Sequence, residues 1–340
     1  MKAMILRRVV SLDECESPLE LVDLPIPELA AGEILIRVAA CGVCHTELDE
    51  IEGRTPPTVW PIVLGHQVVA TVARIGRGVT RHKVGARVGV GWIYSSTGAA
   101  DENLSPDFRA TGRDTHGGYA EYMTVGEDYA YPIPPVFSDE QAAPLLCAGA
   151  VGYRALRLCE LVDGEPLGLT GFGGSAHLVL QAARHRYPRS PVYVFARDTE
   201  ARALAVKLGA VWAGDTADRS PEPLRAIIDT TPVWKPVVEA LANLRAGGRL
   251  VVNAIRKEES DKHELLRLQY EEHLWMEREI KTVANVTQHD IRDFLPLAAE
   301  IPIRPVVNTY PLEEANRALC ELKRGPIQGA KVLIVDGQNA

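Results

Sequence analysis

The chain has 340 residues, more than one ordinary core holds, so two domains are expected. A composition of 46% hydrophobic and 24% charged residues excludes a disordered, collagen-like or membrane-spanning chain. Acidic residues outnumber basic ones 45 to 37, and a formal charge of -8 repels phosphate backbones and anionic lipid, so no nucleic-acid or membrane partner is expected.

Arg7 and Arg8 follow only a short apolar run, unlike a secretory signal, and a cytoplasmic protein is expected. Residues 1 to about 150 hold strand-like runs, EILIRVAA (33–40), VVATVARIG (68–76) and RVGVG (87–91), separated by glycine and proline turns. This half reads as an irregular, mostly β domain. From about residue 165 strands alternate with helices. PLGLTGFGG runs into SAHLVLQAARHRY, a helix with Leu178, Ala182 and Ala183 on one face and Pro188 as its stop. PVYVFAR (191–197) follows, then a helix capped by Thr199 that runs through Leu208 and ends at Gly209. AIID (226–229) and RLVVNA (249–254) flank a helix from Pro236 to Arg245, and the charged stretch 256–273 reads as a solvated helix face. Such alternation predicts a doubly wound parallel sheet.

Gly171, Gly173, Gly174, Ser175 and Ala176 belong to a G-x-G-x-x-A turn that follows a strand and opens a helix. That context is a dinucleotide fingerprint: the turn lets backbone approach a pyrophosphate, and the helix start offers free N–H groups. At the end of the next strand an NAD site wants a carboxylate, but the residues are Ala196 and Arg197, which favours NADP(H) over NAD(H); Asp198 is a mild counter-indication. Asn253, closing the RLVVNA strand, joins the cofactor-binding set.

Six cysteines are too few for a disulfide scaffold, and only Cys41 and Cys44 form a C-x-x-C pair. A redox pair would need a βα context, and a zinc ribbon would need a second such pair. A third reading joins Cys44 to His66 and Cys147, and spacing alone leaves it undecided.

Taken together, CGVCHTELD, GHQVVATVARIG, GGYAEYMTV, APLLCAGAVGYRAL, GFGGSAH and the C-terminal GPIQGAKVLIV resemble the zinc-dependent medium-chain alcohol dehydrogenases, in order and spacing. The resemblance implies a GroES-like catalytic domain, residues 1–150 and 285–340, and a Rossmann dinucleotide-binding domain, residues 151–284. It implies one catalytic zinc on Cys44, His66 and Cys147, and Thr46 as the hydroxyl that passes the alcohol proton outward. His45 would contact the cofactor pyrophosphate, Cys41 would be a non-ligand, and Trp92 and Trp60 would line the substrate pocket. The implied activity is hydride transfer between a small alcohol or carbonyl compound and NAD(P)(H), in a homo-oligomer joined through the nucleotide-binding sheets. A zinc-free quinone or enone reductase and a non-catalytic cofactor-binding protein are the alternatives.

The chain departs from that pattern in several places. Gln67 replaces a glutamate behind the metal, which should leave zinc a stronger Lewis acid. Glu47 stands for an aspartate near the metal, and Asp49 for a histidine that ends the proton relay. The lobe 92–112 has no cysteine, with Thr97 and Ser105 where the first and last would fall. Asp101 and His116 are expected on the surface, and no structural zinc is expected. Ala330 replaces an arginine near the cofactor phosphates, and strand alternation points Lys331 the other way.

Overall fold

Strand Glu33–Val43 is the longest among the described residues and organises the first of two structural units. Its apolar residues Ile34, Ile36, Val38 and Ala40 are buried, and it pairs antiparallel with three strands: Val68–Ile75, Tyr122–Gly126 and Ala330–Ile334. Val307–Pro311 adds parallel to Ala330–Ile334, which brings the end of the chain back into the sheet of its first half. This unit comprises Met1–Cys147 and Val286–Ala340; the second is Ala148–Asn285. The computed structural model describes residues 1–301, 303–325 and 329–335. Residues 326–328 of the C-terminal GPIQGAKVLIV motif lie outside the described residues.

The second unit is a six-stranded, all-parallel sheet. Its order is Trp212–Gly214, Val192–Phe195, Leu167–Thr170, Leu224–Asp229, Leu244–Val252, Glu279–Thr282. This is the 3-2-1-4-5-6 order of dinucleotide-binding sheets. Leu167–Thr170 and Val192–Phe195 are buried at every position, as strands covered on both faces must be. Leu178, Ala182 and Ala183 of helix Ala176–Arg186 are buried, matching the expected face.

Three local expectations are corrected. The helix Thr199–Leu208 is capped by Asp198, not Thr199: its carboxylate accepts from the amides of Glu200 and Ala201 at 3.1 and 3.3 Å. Gly209 ends that helix with φ +102°, as expected for a left-handed cap. The next helix is Lys235–Ala242 rather than Pro236–Arg245, because Leu244 already belongs to a strand. The stretch 256–273 is not a solvated helix face. It forms two short turns of helix, Lys262–Arg267 and Tyr270–Leu274, because Asp261 caps the Lys235–Ala242 helix and Lys257 turns inward. No helix of the described residues is long and apolar enough to cross a membrane.

Candidate active site

Cys44 ends the Glu33–Val43 strand and is the N-cap of the helix His45–Ile51. His66 follows Gly65, whose φ of +98° turns the chain where a Cβ would strike the Tyr119 ring. Cys147 closes the turn Ala143–Leu146. One ligand atom from each of Cys44, His66 and Cys147 falls within 4.8 Å of the others, and all three residues belong to the first unit. Among the described residues this is the one such cluster.

Glu47 holds the cluster together. Its Oε1 lies 2.5 Å from His66 Nδ1, while its Oε2 accepts the Cys44 amide at 2.8 Å. The carboxylate fixes Nδ1 as the protonated nitrogen, leaving Nε2 to face Cys147 Sγ at 3.3 Å. The longer arm of glutamate suits this double contact, since the third helical position is where a glutamate reaches back to its N-cap. Glu47, expected among the catalytic residues, spends both carboxylate oxygens on His66 and the Cys44 backbone.

A hydrogen bond from Cys147 holds the Cys44 thiol well below its ordinary range despite burial, and the same bond pushes Cys147 up. Burial opposes charge on the His66 ring, but Glu47 and the Cys44 sulfur outweigh it, so the ring keeps a proton well above the usual range. A dication would displace these shared protons. Two sulfurs and an imidazole nitrogen are three protein donors, the number that catalytic zinc sites use.

Around the cluster, Thr46 is buried with its hydroxyl 3.7 Å from Cys44 Sγ. His45, beside it, is half-buried at the start of the helix. The Trp92 ring lies 6.2 Å from the His66 ring, with the Arg113 guanidinium 5.6 Å from its own centroid. Trp60 is not placed like Trp92: it is 40% exposed, next to exposed Val59. Asp49 is buried, but its carboxylate is 2.5 Å from Arg54 Nε, an ion pair rather than the free end of a relay. The buried Gln67 side chain covers Gly42, where a Cβ would come within 2.4 Å of Oε1. Cys41 is fully buried, and burial pushes its thiol far up, as suits an inert filler. Lys331 donates to Tyr310 Oη at 2.8 Å and Glu321 at 3.0 Å. Asp101 and His116 are exposed.

Sequence reasoning missed Glu50. It is fully buried one helical turn after Glu47, with neither oxygen partnered among the described residues. Burial, then the nearby Glu47, pushes its carboxyl well above the usual range. Its spacing of three from Glu47 was the only signal in the sequence.

In the second unit Gly171 has φ +73°. A Cβ on Gly173 or Gly174 would meet nothing within 4 Å, so the turn opens on free space. The helix that follows starts without a side-chain cap, and its first N–H groups suit an anion. Ser175 points elsewhere, its hydroxyl donating to Ala148 O at 2.8 Å, while Asn253 Nδ2 donates to Ser175 Oγ at 3.5 Å. Both side chains therefore buttress the turn. Ala176 is buried; Ala196 is buried at the end of its strand, and Arg197 is exposed.

An open glycine turn on a 3-2-1-4-5-6 sheet, in a chain that also builds a candidate Cys–His–Cys metal site, is the combination found in metal-assisted, dinucleotide-linked oxidoreductases. The sequence profile of the alcohol dehydrogenase GroES-like domain matches residues 30–135. The "Probable alcohol dehydrogenase AdhA" of Mycobacterium tuberculosis is 40% identical over 346 residues, 98% of this chain and 97% of that protein. An alcohol dehydrogenase of Geobacillus stearothermophilus is 32% identical over 345 residues, 96% of this chain and 98% of the other. The solved alcohol dehydrogenase of Aeropyrum pernix shares the fold, with a TM-score of 0.84, 24% identity, and coverage of 98% of this chain and 100% of that one. The chain belongs to the zinc-dependent medium-chain alcohol dehydrogenase family, and it is an alcohol/aldehyde oxidoreductase linked to NAD(P)(H).

Proposed function

We propose that this chain binds one zinc ion through Cys44, His66 and Cys147 and reduces a small aldehyde or ketone with NADPH, or runs the reverse oxidation. The observation that carries the reading is the approach of three ligand atoms to within 4.8 Å, with Glu47 fixing both the histidine tautomer and the Cys44 backbone. When bound, zinc supplies Lewis acidity that lowers the pKa of an alcohol and polarises a carbonyl. Thr46 Oγ1 is the group that exchanges a proton with the substrate oxygen, and His45 beside it is the residue that contacts the cofactor pyrophosphate. Asp49, paired with Arg54, contributes a fixed charge to this path rather than a mobile proton. Trp92 gives the substrate an apolar wall, backed by Phe108 at 5.5 Å between ring centroids.

Cofactor choice rests on the end of strand Val192–Phe195. Ala196 offers no acceptor for a ribose hydroxyl, Arg197 is an exposed cation, and the Asp198 carboxylate is taken up as a helix cap. NADPH should therefore bind more tightly than NADH, and Ala196→Asp should reverse the order. An unchanged ratio of dissociation constants would overturn the preference.

The edge strand Glu279–Thr282 is exposed at all four positions, beside exposed Trp275 and Met276. Unpaired edges invite strand addition, and we place the homo-oligomer contact there. Light scattering that gives a monomer at working concentration would remove it. A reducing, cytoplasmic setting completes the reading, since ligand thiols must stay reduced. The activity test is metal analysis with NADPH oxidation over an aldehyde panel. Zinc with turnover supports the reading, and turnover at full rate without zinc points to the quinone-reductase alternative.

A further inference from the structure

The segment after strand Leu244–Val252 carries a buried cation that the reaction above does not use. The Lys257 side chain is only 9% exposed, and its ammonium contacts Asp229 Oδ2 together with the carbonyl oxygens of Thr231 at 2.7 Å and Val233 at 3.1 Å. An ammonium has three donors, and three acceptors meet it here. Asp229 is fully buried at the end of its strand. Its Oδ1 accepts from Thr170 Oγ1 at 2.6 Å, Thr231 Oγ1 at 2.8 Å and the Thr231 amide at 3.2 Å. Thr230 completes the arrangement, its amide and hydroxyl both donating to Thr170 O at 3.0 Å.

The location gives this network its meaning. Thr170 and Asp229 are register partners at the carboxyl ends of the two central strands, where the winding of the sheet reverses. Open α/β sheets bind ligands at that point. Gly171 follows Thr170 directly, and a Cβ on it would lie 2.8 Å from Thr231 Cγ2 and 3.0 Å from Thr230 Oγ1. The glycine turn thus rests on two threonines, the threonines are fixed by Asp229, and Asp229 is neutralised by Lys257. A buried ion pair adds little stability that apolar packing would not, because desolvation offsets its attraction; its better-attested use is to select one arrangement.

We propose that the Asp229–Lys257 pair positions the dinucleotide: it locks the segments after two neighbouring strands, 230–233 and 253–257, against the glycine turn, which makes Lys257 and Asp229 positioning residues for the reaction. This rests on the dinucleotide reading of the turn. The pair acts through backbone placement, so it affects NADH and NADPH alike and leaves the metal cluster untouched.

The test titrates the full chain as purified with NADH and with NADPH, following protein fluorescence, alongside steady-state kinetics. Lys257→Met is expected to weaken both dinucleotides about tenfold, the scale of coupling that packed networks carry. The cofactor KM should rise by the same factor, with kcat at saturating cofactor within about twofold of wild type. Lys257→Arg should restore most of the affinity. Thr170→Val removes one hydroxyl from Asp229 while keeping the ion pair and the strand, and should weaken binding about threefold. It decides the matter should Lys257→Met fail to fold, wild-type affinity in Thr170→Val then overturning the proposal. Wild-type affinity in a folded Lys257→Met, or a fall in kcat and thermal stability with KM unchanged, also overturns it. Failure of the wild type to bind either dinucleotide would instead overturn the dinucleotide reading itself.

Discussion

Glu102 Oε1 accepts the backbone N–H of Gln288 at 2.6 Å, across 186 residues of sequence, and so ties the cysteine-free lobe to the start of helix Gln288–Glu300. Its other oxygen accepts from Tyr129 Oη at 2.8 Å and the Gly98 amide at 3.0 Å. Ser96 Oγ donates to the Glu102 carbonyl at 2.8 Å. One buried carboxylate thus gathers the lobe where relatives are expected to use four cysteines and a metal.

Glu102→Ala should therefore cost about 3 kcal/mol of stability, the scale of losing charged hydrogen bonds to buried donors. Zinc content should not change. Urea unfolding checks this, and a loss below about 0.5 kcal/mol, the range of ordinary surface changes, would show that the lobe is held by something else.

Glu47 predicts a metal phenotype without a fold phenotype. Glu47→Gln keeps the size of the side chain but loses the charge that fixes the His66 ring, and zinc affinity should fall about 10- to 100-fold. Competition with a chromophoric chelator measures it. Wild-type affinity would mean that the histidine is oriented by packing alone.

The free space at Gly173 separates folding from binding. A valine there meets no protein atom with its Cβ, so the thermal midpoint should stay within about 2 °C, a change of under about 1 kcal/mol. Dinucleotide affinity should fall at least about tenfold, because the backbone can no longer approach a pyrophosphate. Calorimetric titration with NADPH gives the answer, and tight binding to Gly173→Val would move the phosphate site elsewhere.

His177 makes the second unit acid-sensitive. Burial lowers its pKa below the ordinary 6.5, partly opposed by the bond from Nδ1 to Gly173 O at 2.8 Å, and its buried Nε2 has no partner among the described residues. The unfolded chain takes up a proton near pH 6.5, whereas the folded ring resists it. The contribution of this residue is full above that pH and declines as pH falls below it. His177→Gln should flatten the stability profile between pH 6.5 and about 5, above the range where unperturbed carboxylates titrate. Equal slopes for wild type and variant would refute this, and the difference between them cancels the contribution of His116 in the other unit, whose pKa is also lowered.

The sequence made the parallel sheet and the glycine turn legible because their signals are local: apolar runs, a helix face, and glycines at fixed offsets. The ligand triplet was readable only through resemblance, since Cys44, His66 and Cys147 are distant in sequence. What escaped was long-range pairing of side chains. Glu102 carries no local sign of its role in the lobe, because its partners Tyr129 and Gln288 are far along the chain. Asp49 read as a relay terminus because Arg54 gave no sign that it folds back onto it. The stretch 256–273 read as a helix face because nothing local announces that Lys257 is drawn to the carboxyl end of a central strand by Asp229.

Zinc stoichiometry by mass spectrometry, on wild type and on Cys44→Ser, tests the central claim most directly. The structure leads us to expect one equivalent per chain in the wild type, and neither zinc nor turnover in a variant that keeps its fold by circular dichroism. A Cys44→Ser protein that retained a full equivalent of zinc, or that turned over at the wild-type rate without metal, would contradict it.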